Sequence, residues 1–383
     1  MKFAIYTHVN HVHKEGKIYG YGPYIREMNV WLNYVDEVEV VGPFTDRNVL
    51  EIDLAYRHSR LQYRRIPLFS LTSKSEILKT FFKLPVLFWV IYKSMKRADH
   101  LHLRCPGNVG LIACLVQILF PSKIKTAKYA GNWDMKSKQP WSYRFQKWIL
   151  NNTFLTRNMQ VLVYGEWENC SRNIMPFFTA SYSEKDKKDV QIRKLLVPSE
   201  NRKELIKFLF VGTLSEGKRP FYAVQLVQAL KNKGYAVTLD IYGEGNQRAI
   251  VEEYINAQLL KDTVILHGNK NAETVLNAYQ ESHFLILPSK SEGWPKVVAE
   301  AMFWGCVPVA TSVSCVPFMV DRGNRGGLLT MNLIEDVENL MFCIEDDLIY
   351  EKMASKAMDW SRQYTLDYFE SEVKALLKEE DKL

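Results

Sequence analysis

No stretch of this 383-residue chain stays apolar long enough to cross a bilayer. The longest runs, LPVLFWVIY at 84–92 and LIACLVQILF at 111–120, fall well short of the ~20 residues a spanning helix needs. The opening MKFAIYTHVNHVHKEG lacks the apolar segment of a signal peptide and reads as a first strand entering a polar loop. The six cysteines (105, 114, 170, 306, 315 and 343) include no close pair and no zinc-type spacing, which points to reduced, structural thiols in the cytoplasm. The eight histidines make no HExxH frame, and HVNHVH at 8–13 is only a weak metal candidate. Low-complexity segments and repeats of fixed period are missing as well. So are zinc-finger spacings, KH-type loops and RNP runs, and no nucleic-acid partner is expected. No DxD-like acid pair stands at a strand end. Asp186 and Asp189 form the nearest pair, in a charged run better explained as solvated, so neither metal nor another cofactor is expected.

What is present is ordinary in amount and uneven in arrangement. Apolar residues make up 47% and charged residues 24%, as in globular proteins, and the length exceeds one typical core. The first 200 residues hold 30 Lys and Arg against 17 Asp and Glu, while the rest of the chain holds 20 against 26. A basic half suits an anionic partner such as a phosphate-bearing substrate or an anionic lipid surface. SKSEILKTFFKLPVLFWVIYKSMKR at 73–97 mixes large apolar side chains with lysines. It reads either as a membrane-interfacial segment or as a core-facing amphipathic helix with solvated lysines.

Along the chain, strand patterns alternate with helical ones. Strands are expected at 2–7, 36–43, 100–104, 125–129 and 160–165, with a glycine loop at 17–24, helices ending near Trp31 and spanning 77–97 and 109–119, and irregular chain at 47–75. The polar run 181–204 reads as a surface linker. A second series follows with strands at 207–212, 238–243, 264–268, 284–288, 307–310 and 328–332, then a helical tail. The pattern predicts two doubly wound α/β domains, 1–195 and 196–360, with residues 361–383 as a tail packing back on the first. A cleft between two such domains is the default place for a site.

The chemistry concentrates in the second domain. VGTLSEGKRP at 211–220 leaves a strand through Gly212 and Thr213 and offers Lys218 and Arg219 before a helix, where cations and helix N–H groups suit a diphosphate. Gly243 and Gly245 make a GxG after a strand, which serves equally as an anion loop or a plain turn. SEGWPKVVAEA at 291–301 puts Glu292 in a polar corner, allows Pro295 at the first helical position, and carries Glu300 into an apolar helix that Gly305 ends. A carboxylate in VVAEAMFW needs partners, because an unpaired buried charge is costly. A vicinal diol, as in ribose, would supply them. Ser291, Gly293 and the helix start can present N–H groups to an anion. In the first half, Gly20, Tyr21 and Gly22, His102 and Arg104 at a strand end, and Asn132, Trp133 and Asp134 in YAGNWD could line a site, though each also fits ordinary packing.

EGWPKVVAEAMFWGCVPVA resembles the E-x7-E region of retaining glycosyltransferases of family 4. The matching residues are Glu292, Gly293, Pro295, Glu300, Ala301, Gly305, Pro308 and Val309, and VG…GKRP resembles the family's donor-phosphate loop. The likeness is specific over about 205–330 and looser over 1–180. It implies the GT-B architecture, two Rossmann-like domains facing a central cleft. It also implies transfer of a sugar from a nucleotide-diphosphate donor to a glycan or lipid-linked glycan, with front-face attack that retains configuration. Glu300 would then hold the ribose, Glu292 the transferred sugar, and Lys218 with the 20–22 loop the diphosphate. Gly212, Thr213, Arg219, Gly243, Gly245, His267, Ser291, Gly293, Trp294, Pro295 and Lys296 would complete the donor contacts.

Two departures stand out. Thr213 replaces the family's usual arginine, with Arg219 as a substitute charge. Many members of the family carry a histidine near the reacting sugar at the tip of the fourth or fifth first-domain strand; YAGNWD has none, which leaves Asn132 or Asp134 for that contact and Asp134 as a candidate acceptor base. The setting implied is bacterial surface-polysaccharide synthesis in the cytoplasm, at the inner face of an anionic membrane. The alternatives are another GT-B enzyme, such as a nucleotide-sugar epimerase or a phosphorylase, and a non-catalytic nucleotide-sugar-binding protein.

Overall fold

The computed structural model describes residues 1–67, 74–195 and 205–378, with the side chains of 74–81 outside the description. The chain forms two compact units, Met1–Phe178 joined by the chain from Phe369 onward, and Thr179–Tyr368. The first boundary thus falls at 178 and not at 195. The stretch read as a linker is held by the second unit: Ser181 Oγ donates to Glu300, the Tyr182 ring packs on Phe303, and Arg193 Nη2 donates to the Gly305 carbonyl at 2.7 Å. Residues 196–204 of that expected linker lie outside the described residues. The tail also divides differently, since residues 361–368 stay with the second unit.

In the first unit the strands are β1 (Lys2–Tyr6), β2 (His11–Lys14), β3 (Lys17–Tyr21), β4 (Glu37–Pro43), β5 (Asp53–Ala55), β6 (Leu61–Ile66), β7 (His100–Cys105), β8 (Ile124–Tyr129), β9 (Met159–Tyr164) and β10 (Ile174–Phe177). Seven of them form a parallel sheet in the order β10-β9-β8-β7-β1-β4-β6. Its central strands are buried on both faces, which is why β1 and β9 read as near-continuous apolar runs. The helices are α1 (Gly22–Leu32), α2 (Lys74–Arg97), α3 (Asn108–Val116) and α4 (Trp141–Leu150).

Two expectations are corrected here. The segment read as a glycine loop is largely β3, antiparallel to β2 and β5. The stretch read as irregular contains β5 and β6. β6 lies at the sheet edge, pairs with β4, and exposes the arginines of LQYRRI, so its apolar signal is faint.

The second unit repeats the design with β11 (Ile206–Val211), β12 (Val237–Tyr242), β13 (Val264–Gly268), β14 (Phe284–Leu287), β15 (Val307–Thr311) and β16 (Gly327–Leu329), in the parallel order β13-β12-β11-β14-β15-β16. Its helices are α5 (Pro220–Asn232), α6 (Arg248–Ala257), α7 (Ala272–Glu281), α8 (Lys296–Phe303), α9 (Val316–Met319), α10 (Leu333–Ile344) and α11 (Asp347–Ser361). A last helix, α12 (Leu366–Lys378), carries the chain back into the first unit. Phe208, Phe210, Leu239, Ile241, Phe284 and Ile286 centre the core of the second unit.

Pro295 takes the N-cap position of α8, one residue earlier than expected. At the other end, Gly305 (φ +70°) turns the chain while its N–H and that of Cys306 bond the carbonyls of Met302 (3.0 Å) and Ala301 (2.9 Å). That is a Schellman closure. In both sheets the first strand lies inside and the strand order reverses beside it, between β1 and β7 and between β11 and β14. Ligands of open parallel sheets bind outside the carboxyl ends of strands at such reversals. Among the described residues, no helix is long and apolar enough to cross a membrane.

Burial lowers the pKa of His11 and of His283 to about 4. The unfolded chain takes up these protons near pH 6.5 and the folded chain only near 4, so stability falls as pH drops through that window. The expected loss is on the order of 3 kcal/mol per histidine at its acid end. Calorimetric unfolding between pH 7 and 5 checks this. His283→Gln, with no proton to gain, should lose less than the parent by about 2 kcal/mol.

Candidate functional site

The reversal between β11 and β14 gathers most of the expected residues of the second unit. The loop leaving β11 and the loop leaving β12 are joined backbone to backbone, with Gly212 N–H on the Tyr242 carbonyl and Leu214 N–H on that of Glu244, both at 2.9 Å. This contact explains the GxG. A Cβ on Gly243 (φ +139°) would sit 1.9 Å from the Gly212 carbonyl oxygen, and one on Gly245 2.3 Å from that of Leu214. The β11 loop is also tied to the β14 loop, because Lys290 N–H donates to the Gly217 carbonyl at 2.8 Å.

Lys218 and Glu292 meet across this junction, Nζ donating to Oε1. The glutamate side chain is 9% exposed and the lysine 29%, so the pair is partly withdrawn from water. Arg219 adopts a left-handed conformation (φ 51°) at the N-cap of α5, and its Nη1 reaches the Pro288 carbonyl at 3.4 Å. Thr213 is exposed on the β11 loop, and Ser291 on the β14 loop. The Gly293 carbonyl accepts from Ser314 Oγ at 3.0 Å and Cys315 Sγ at 3.1 Å, which fixes the β14 loop to the one leaving β15.

Glu300 lies on α8, about 6 Å along the axis from Lys296, itself half-buried at the first turn. The Glu300 carboxylate accepts from Ser181 Oγ at 2.6 Å and from Tyr279 Oη at 3.0 Å. A carboxylate has about four acceptor sites, so two hydroxyls leave room for a diol. Burial, with Glu300 alongside, pushes the Tyr279 hydroxyl well above its ordinary pKa, so it stays a donor. Neither Ser181 nor Tyr279 was expected at the site. They lie 119 and 21 residues from Glu300 along the chain.

Other expected contacts take structural places. Trp294 is buried against Trp360 and Tyr364, with ring centroids 6.1 and 5.7 Å away, so its ring packs the core instead of facing a ligand. Pro295, also buried, starts α8. His267 stacks on Tyr242 at 4.4 Å and bonds Asp240 at 2.6 Å, both partners on the neighbouring strand β12.

In the first unit the corrections are larger. His102 is fully buried in β7 between Phe3 and Trp31, bonded to Thr126 Oγ1 at 2.8 Å, and burial holds it neutral. Arg104 donates to Glu27 at 3.1 Å and lies over the Tyr24 ring, and Lys128 reaches the same glutamate at 3.0 Å. Those charges fasten α1 to the sheet. Trp133 is buried edge-on to Tyr129, its Nε1–H directed at Cys170 Sγ, so it offers no stacking face to a sugar. Asn132 accepts from Asp134 N–H at 2.9 Å and Asp134 from Lys136 N–H at 2.8 Å, as turn-forming side chains do. Gly20 lies within β3, Tyr21 is half exposed at its end, and Gly22 N–H bonds the Ile52 carbonyl at 3.0 Å.

At the reversal of the first unit stands a residue noted only within the HVNHVH run, and not as a contact for sugar or acceptor. His8, just past β1, lines a cavity of about 270 Å³ with Asn10, Pro43, Asn108 and Tyr143. Its ring is open to the cavity and packs on Gly107, where a Cβ would sit 2.5 Å from Nδ1. The enclosing protein, helped by Arg104, lowers its pKa and favours the neutral imidazole. A larger cavity of this unit, about 690 Å³, opens at the opposite strand ends beside Lys125, Asn158 and Arg172, away from the reversal.

Comparison with known proteins bears on the second unit above all. Residues 192–360 match the model of glycosyl transferases group 1. An uncharacterized glycosyltransferase of Haemophilus influenzae is 31% identical over 171 residues, 44% of this chain and 48% of that protein. The chain therefore spans about half the length of the relative it matches. Among solved structures, a lipopolysaccharide outer core galactosyltransferase, WaaB in its apo form, covers 100% of both chains with a TM-score of 0.68 at 15% identity. Anabaena HepE in complex with UDP and glucose covers 99% of this chain and 100% of its own, with a TM-score of 0.63 at 15% identity. At that identity the likeness establishes the fold, which is GT-B: two Rossmann-like units in succession.

Two substitutions test the construction of the site. Gly243→Ala should cost more than about 2 kcal/mol through its clash with the Gly212 carbonyl. Tyr279→Phe, which removes one donor from Glu300, should cost ~1 kcal/mol. Urea unfolding of both variants measures the difference, and an unchanged Gly243→Ala midpoint would contradict the backbone contact.

Proposed function

With residues 192–360 matching the model of the group 1 glycosyl transferases and the chain folded as GT-B, we propose that it is a retaining glycosyltransferase. It moves a sugar from a nucleotide-diphosphate donor to a glycan or lipid-linked glycan, in bacterial surface-polysaccharide synthesis. The observation that carries this is the meeting of Lys218 and Glu292 at the strand reversal, with Glu300 on the helix that follows. A cation, a second acid and a partly open carboxylate at one set of loops suit a diphosphate, a sugar and a ribose in turn.

In this reading Lys218, with Arg219 beside it, holds the diphosphate and balances the charge that grows on it as the glycosidic bond breaks. Glu300 receives the ribose hydroxyls, positioned by Ser181 and Tyr279. Glu292 leaves Lys218 and accepts hydroxyls of the transferred sugar. The acceptor hydroxyl attacks from the face the leaving group departs, and the diphosphate oxygen takes its proton. Configuration is retained without a protein nucleophile, and the two cations supply the positive charge that a metal would otherwise bring. His8, neutral and open to its cavity at the first unit's reversal, is the better placed acceptor contact than Asp134, whose carboxylate is committed to its own turn.

The structure solved with UDP and glucose makes UDP the first nucleotide to try. Titration calorimetry with UDP and a panel of nucleotide sugars is expected to show selective binding. That binding should weaken at least about tenfold in Glu300→Ala and in Lys218→Ala, a loss of ~1.4 kcal/mol or more each. Binding indifferent to both substitutions would remove the donor-site assignment and favour a scaffold role.

A further inference from the structure

Helix α4 buries Ile149 and Leu150 in the core, yet its outward face is aromatic. Gln146 and Lys147 point inward, Gln146 accepting from Gly107 N–H at 3.3 Å and Lys147 Nζ donating to the Asp134 carbonyl at 2.7 Å. Trp141, Phe145 and Trp148, spaced i, i+4, i+7, point outward with Arg144 among them. The two indoles are 61% and 55% exposed, and Phe145 stacks on Trp148 with centroids 5.7 Å apart. Water-facing helices of globular units carry polar stripes in such positions. This one carries the reverse.

The neighbouring helices extend the same face. α3 packs between α2 and α4. On α2, Phe82, Val86 and Trp89 form an outward stripe, and the chain after α4 exposes Phe154. Basic groups sit over these rings, Lys93 Nζ 4.8 Å from the Trp89 centroid and Arg157 4.9 Å from that of Phe154. Acids are nearly missing: residues 77–165 contain 14 Lys and Arg but only Asp99 and Asp134. Four of those cations (Arg104, Lys125, Lys128 and Lys147) are withdrawn into the unit, which still leaves a strongly basic surface.

We propose that the α2–α3–α4 face of the first unit docks on an anionic lipid bilayer, with Trp89, Trp141 and Trp148 entering the headgroup region. Indoles favour that boundary, and apolar burial combined with basic attraction is what holds peripheral helices there. A second copy of the chain fits less well, since two such faces would bring like charges together. The inference stands on this surface alone and is independent of the donor-site assignment.

The test is co-sedimentation of the full chain with vesicles of phosphatidylcholine, and of equal parts phosphatidylcholine and phosphatidylglycerol, without donor or acceptor. Binding to the anionic vesicles, weakened by salt, is expected, with at least about tenfold weaker partitioning for the Trp141→Ser/Trp148→Ser double variant. Ile334→Ser/Phe342→Ser, which changes exposed apolar residues of the second unit, should bind as the parent does. An unchanged melting temperature and circular dichroism spectrum show the tryptophan variant to be folded. Failure to bind anionic vesicles, or equal binding by that variant, overturns the proposal. So does a dimer in sedimentation equilibrium that the tryptophan substitutions dissolve.

Discussion

A parallel sheet whose strand order reverses cannot close over the point of reversal. The crossover connections leave in opposite directions there, and the loops at the carboxyl ends part. Both units of this chain are organised by that constraint. In the second unit it brings residues from the loops after β11 and β14, 74 positions apart, close enough for Lys218 to bond Glu292. In the first unit it opens the recess beside His8.

What keeps those loops in place is mostly main chain. Gly212 and Leu214 bond into the β12 loop, Lys290 bonds back to Gly217, and Ser314 and Cys315 hold the Gly293 carbonyl. Loops anchored through backbone groups lose little further freedom when a ligand arrives, which is the sense in which a site is preorganised. Glu300 is treated the same way by side chains, its two oxygens steered by a serine outside the sheet and a tyrosine on α7.

Much of the second unit could be read directly, because buried parallel strands are short apolar runs and each ends at a glycine or a polar corner. Glu292 and Glu300 stood out for the same reason, as acids beside or within apolar chain. The first unit was less legible. Proximity to a strand end does not reveal which way a side chain turns, so His102 and Trp133 looked available when both belong to the core. His8 drew notice only within a weak metal candidate, since its recess is assembled with Gly107 and Asn108 from the start of α3, about a hundred residues away. The GxG of 243–245 was ambiguous by sequence, because close approach to another backbone and close approach to a phosphate impose the same need for a missing Cβ. The segment 181–195 looked like a linker because its few anchoring side chains find partners only in three dimensions.

The bond between Lys218 and Glu292 makes the second unit's junction electrically self-satisfied when nothing is bound. Anything that enters between them acts as a competitor for both at once. A bare anion can take the lysine but strands a carboxylate that is only 9% exposed, and a neutral polyol can take the carboxylate but strands the ammonium. Only a molecule carrying negative charge and hydroxyl groups at the right separation replaces each lost partner with another. If the proposed donor site is right, the pair would behave as a coincidence filter, turning away the abundant inorganic phosphate and free sugars that share half of its chemistry.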